Sequence, residues 1–111
     1  MIDKRLLNWS DSLPDKFIEI DFDIDVPRCR TKEEEIYVQN ILIRHGAIPL
    51  HELTAGKTYI GTSRNASEAV WNGEQFVYQR YKWGETYPEE INHFQNDDGY
   101  DVFVPIKLKD E

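Results

Sequence analysis

From Ile18 to Val26 the chain alternates without a break: Ile18, Ile20, Phe22, Ile24 and Val26 are apolar, and Glu19, Asp21, Asp23 and Asp25 stand between them. A helix would scatter these carboxylates around its axis. A strand puts every second side chain on one face, so residues 17–26 are expected to form a strand with one buried face and one acidic face. Pro27 then ends it.

The acidic face is a candidate partner surface. Alternate residues on a strand repeat at ~6.5–7 Å, close to two steps of the phosphate spacing along a nucleic-acid strand. Glu19, Asp21, Asp23 and Asp25 therefore suit a basic groove on another protein, or they simply keep the face solvated and unaggregated. A calcium loop beginning at Asp21 is excluded, because Val26 and Lys32 occupy the positions where that loop needs glycine and glutamate.

The whole chain shares this bias. Its 111 residues carry 21 acidic against 13 basic side chains, a formal net charge of −8. Long-range repulsion then opposes nonspecific contact with nucleic acid or an anionic membrane and favours a basic protein partner. The length fits a single domain over residues 1–111. The one cysteine, Cys29, excludes an internal disulfide and a cysteine-rich zinc site. No secretory signal and no bilayer-length apolar run are seen, so a cytoplasmic location is expected.

Thr31 to Glu34 is a capping box, with acidic residues Glu33 to Glu35 in the first turn that follows. Val38, Ile41, Leu42 and His45 share one stripe, and Gly46 is a C-terminal stop, so an amphipathic helix is expected here. Residues 2–9 have the apolar content for one or two helical turns. Residues 58–62 and 101–108 read as strands, the latter an edge strand because Pro105 lacks an amide hydrogen. Thr86 to Glu89 reads as a second capping box, and Asp97-Asp98-Gly99 as a turn. Asn72-Gly73 is a type I′ hairpin signal. A two-residue tip there pairs Trp71 with Glu74, Ala69 with Phe76 and Asn65 with Arg80. The fold class expected is α+β: a small, bent antiparallel sheet of about five strands, or a partly open barrel, with one amphipathic helix.

Between Leu53 and Pro105 stands a series of short motifs: Gly56-x-x-Tyr59-x-Gly61, Arg64-Asn65-Ala66, Ala69-x-Trp71, Phe76-Val77-Tyr78, Arg80-x-Lys82-x-Gly84, Glu90-Ile91-x-His93, Asp97-Asp98-Gly99 and Asp101-Val102-Phe103-Val104-Pro105. This half of the chain resembles a small uncharacterised domain of bacterial and phage accessory proteins. The resemblance implies an accessory role and brings no activity with it.

Two constellations remain. Asn65, Tyr78, Arg80 and Lys82, with His93 close by, have the donors to hold a small anion such as a nucleotide, unless the local acids Glu68, Glu85, Glu89 and Glu90 neutralise the cations. His93 with Asp97, Asp98 and Asp101 has the side chains for a metal-assisted hydrolase, but its spacing matches no metalloenzyme pattern. Phosphate-loop, dinucleotide, nucleophile-elbow and zincin signatures are all missing. No cofactor and no metal are expected. The reading that follows is a binding or regulatory module acting on a protein partner, with an anion binder and a hydrolase as the alternatives.

Overall fold

The computed structural model describes residues 3–17, 24, 26–96 and 101–109. Two helices, α1 (Lys4–Asp11) and α2 (Lys32–Arg44), precede five strands: β1 (Thr58–Thr62), β2 (Glu68–Trp71), β3 (Phe76–Lys82), β4 (Glu85–His93) and β5 (Val102–Leu108). The strands close into a barrel in the order β1-β2-β3-β4-β5. The described residues thus form an α+β fold with five strands, and with two α-helices where one was expected. Its sheet is mixed, since β5 returns parallel to β4 and antiparallel to β1.

Local chemistry explains α2. Thr31 Oγ1 accepts from the Glu34 amide at 3.1 Å, and Glu34 Oε1 accepts from the Arg30 amide at 2.7 Å. Its buried stripe includes Val38, Ile41 and Leu42. Together with Leu6 of α1, Val38 and Leu42 cover the outer face of β5 at Val102, Val104 and Ile106. The opposite face of β5 sends Phe103 into the barrel, where it meets Tyr59, Ala69, Trp71, Phe76, Tyr78 and Ile91. One strand therefore separates two apolar clusters, which is why Val102 to Ile106 read as a continuous apolar run.

Pro105 accordingly does not mark an edge. Pairing between β1 and β5 runs from Ile60–Lys107 to Gly61–Pro105, skipping Ile106. The missing amide hydrogen falls at this bulge, where the ladder is already interrupted.

The Asn72-Gly73 hairpin also differs from expectation. Trp71 pairs with Phe76 and Val70 with Val77, not Trp71 with Glu74. Asn72 Oδ1 accepts from the amides of both Glu74 and Gln75, at 2.8 and 2.7 Å, and this widens the turn to four residues. A shift of two residues preserves parity, so Trp71, Phe76 and Tyr78 still face the same interior. Asn72→Ala is expected to cost about 1 kcal/mol in a denaturant titration, through loss of both turn hydrogen bonds.

The two-residue tip lies one hairpin later. Lys82 pairs with Glu85 across Trp83-Gly84, with φ of 58° and 79°. Positive φ at both central residues is the type I′ geometry. Thr86 to Glu89 lies inside β4 and caps no helix. Two sequence expectations, the carboxylate strand from Ile18 to Asp25 and the turn at Asp97-Asp98-Gly99, fall outside the described residues except at Ile24. That residue is buried, and its amide donates to Thr62 Oγ1 at 3.4 Å.

Candidate functional site

β3 and β4 outrun their neighbours. β3 pairs with β2 only at Phe76 and Val77, and β4 with β5 only at Asn92 and His93, whereas β3 and β4 pair with each other from Phe76–Ile91 to Lys82–Glu85. Beyond Tyr78 the two strands form an arm that, among the described residues, has no other strand beside it. Its distal residues, from Tyr81 to Pro88, are all exposed.

The root of the arm gathers three of the residues singled out in the sequence. The Tyr78 hydroxyl lies near Asn65 and Glu89, and Arg80 is close enough to act on it electrostatically. Burial above all holds the Tyr78 hydroxyl above its usual range. The Glu89 charge adds to that rise, while Asn65 and Arg80 oppose it. Arg80 Nη1 contacts both Glu89 carboxylate oxygens, at 3.3 and 3.1 Å. The Arg80 charge is thus met by a neighbouring glutamate. Lys82 shares the strand face of Arg80 by parity, and it sits exposed at the tip opposite Glu85.

His93 is not brought to this group. It is fully buried, stacked on Phe94 and Phe76 with Trp71 edge-on. Its Nε2–H donates to the Ile48 carbonyl at 2.9 Å, and its Nδ1 accepts from the Gln95 amide at 2.9 Å. Both ring nitrogens are committed, which leaves no lone pair for a ligand or a metal. Asp101 is exposed, and Asp97 and Asp98 lie outside the described residues. Among the described residues no group of three histidine, cysteine or acidic side chains is placed to hold a metal ion.

A cleft of about 370 Å3 opens on the outer surface where β2 and β3 part. Asn65 and Tyr78 line it, as do Glu68, Val70, Val77 and Gln79, and Arg80, Lys82 and His93 are not in its wall. Lys109 Nζ closes one side by pairing with Glu68 at 3.0 Å.

The tip carries a residue that stood outside the candidate sets drawn from the sequence. Trp83 is 88% exposed and Tyr81 74%, and Trp83 belongs to neither apolar cluster. It also holds a positive φ, which a bulky side chain adopts only at a cost. The signal was present as Trp83-Gly84, but tryptophan is so unusual at that turn position that Asn-Gly drew the assignment instead. Among the described residues no helix is long and apolar enough to cross a membrane.

Comparison with protein-family models, curated proteins and solved structures gave no match to this chain.

Proposed function

We propose that the protein is a binding module whose β3–β4 arm docks on a protein partner, with Trp83 as the anchor. The observation that carries this reading is the tryptophan itself. Its apolar surface is exposed, and its backbone sits in the left-handed region where asparagine or glycine costs less. Two unfavourable terms meet at one residue, and no packing within the described chain offsets them. Strained and exposed positions of this kind cluster at sites of function.

The surroundings support a protein partner. Tryptophan, tyrosine and arginine dominate binding energy at protein interfaces, and Trp83, Tyr81 and Arg80 stand together on the arm. The formal charge of −8 opposes nucleic acid as the target and favours a partner with a basic surface. An anion site built on Arg80 is less favoured because Glu89 already holds that guanidinium.

Trp83→Asn separates function from stability. Asparagine suits the turn, so the variant is expected to gain about 1 kcal/mol in a denaturant titration. A photo-crosslinking amino acid at Tyr81, introduced in cells that make the protein, is expected to trap one defined protein. That product is expected to vanish in the Trp83→Asn background. Equal trapping in both backgrounds, or none in either, would refute the arm as a docking element.

A further inference from the structure

The two lateral edges of the arm are not alike. Lys82 and Glu85 flank a two-residue turn and so form a hydrogen-bonded pair, and alternation makes Arg80–Tyr87 and Tyr78–Glu89 pairs of the same kind. Gln79 and Tyr81 therefore turn their N–H and C=O groups away from β4. Val77 turns the same way and finds Val70 of β2, but there the β2–β3 ladder stops. Continued in register, Gln79 would meet Glu68. These two residues instead line opposite sides of the cleft.

On the other edge, the same alternation points the backbone nitrogen of Pro88 outward, since Pro88 pairs with Gln79. Proline has no hydrogen to offer there, which blunts the β4 edge against strand addition. Among the described residues the β3 edge has no such guard. It borders a cleft with Val70 and Val77 at the point where the ladder ends.

We propose that the cleft receives a short extended segment of a protein partner, which adds as a strand to the free edge of β3 at Gln79 and Tyr81. The inference rests on the protein-binding reading and names the form the bound segment takes. Backbone donors and acceptors alternating along an open edge are matched by another extended backbone. An apolar side chain of the segment rests against Val70 and Val77. Basic flanks suit the exposed Glu85 and Glu90 of β4 in a chain of net charge −8.

The test uses the full chain and a phage-displayed library of short random peptides. Enriched peptides are expected to slow hydrogen exchange at the Gln79 and Tyr81 amides by about tenfold or more at saturation. N-methylation of the peptide backbone is expected to abolish binding at alternate positions only. Gln79→Pro is expected to weaken binding by about tenfold with the melting temperature little changed. The N-methyl series carries the test if that variant does not fold. Failure to enrich any peptide, or enriched peptides that leave both amides exchanging freely, would overturn the proposal. So would concentration-dependent pairing of the chain with itself through these amides. Peptides that depend on Trp83 without protecting Gln79 would remove the strand-addition inference and leave the docking arm intact.

Discussion

Gly61→Ala is expected to destabilise the protein by about 3 kcal/mol or more, because the added methyl group meets closer atoms than at any other described glycine. Gly61 is buried in β1 beside the bulge, where β5 crosses closest. A Cβ there would lie 2.1 Å from the Val104 carbonyl oxygen, 2.8 Å from Pro105 Cα and 2.9 Å from Phe103 Cε1. Two of those three atoms are backbone, so no rotamer change relieves the contact. Relief requires β5 to move, yet β5 is gripped by the barrel on one face and by both helices on the other. For a chain of this length such a loss lowers the melting temperature by roughly 12–24 °C. Two controls identify the cause. Gly56→Ala also places a side chain at a glycine site, but there φ is +89° and nothing lies within 4 Å. It is therefore expected to cost only about 1 kcal/mol, through backbone conformation alone. Truncating Phe103 in the Gly61→Ala background is expected to bring no rescue, because the carbonyl contact persists. A melting temperature for Gly61→Ala within a few degrees of wild type would contradict the packing described at the bulge.

Which parts of this fold the sequence announced follows from how local their causes are. α2 was legible because its capping box, stripe and glycine stop all lie within sixteen residues of one another, from Thr31 to Gly46. The positions of β1 and β5 were legible from apolar content. Closure into a barrel was not, because the parallel contact of Asn92 and His93 with Val102 and Phe103 joins strands by tertiary packing that no short motif encodes. Pro88 and Pro105 misled for a shared reason. Each lacks an amide hydrogen where the ladder happens not to need one, and that depends on the register of the neighbouring strand.

The candidate site shows the same division. Asn65, Tyr78 and Arg80 were grouped through a register that proved two residues out, and they still meet around the Tyr78 hydroxyl. Even displacements keep each side chain on its face, so the grouping survived the error. Lys82 shares that face at the exposed tip, while His93 was placed with them by sequence proximity alone. The fold spends it in the barrel core. Trp83 stood outside the candidate sets because sequence rules weigh favourable residues, and this one is informative for being unfavourable where it sits.

Buried His93 leads to the second large effect, a loss of stability in mild acid. Its surroundings are Trp71, Phe76 and Phe94, and its two nitrogens are held by the Ile48 carbonyl and the Gln95 amide. Protonation would place a hydrogen on Nδ1, facing the Gln95 N–H, in an interior with little water to solvate the charge. Burial therefore lowers the His93 pKa from 6.5 to about 4, against a smaller opposite pull from its hydrogen bond to Ile48. Between these values the unfolded chain binds a proton that the folded chain refuses. The contribution of neutral His93 is then complete above about pH 6.5, declines as the pH falls, and is gone below about pH 4. Its full size is about 3 kcal/mol, a large share of the stability of a domain this small. Carboxylates titrate near the lower end of the same window, so the comparison needs a partner curve. His93→Gln keeps an N–H donor within reach of the Ile48 carbonyl and removes the titrating ring. Wild-type stability is expected to fall by about 3 kcal/mol more than that of His93→Gln between pH 7 and pH 4, read from denaturant midpoints at each pH. Parallel curves for the two proteins would mean that His93 reaches water or an acid in the folded state, and the closed aromatic interior described for the barrel would be wrong.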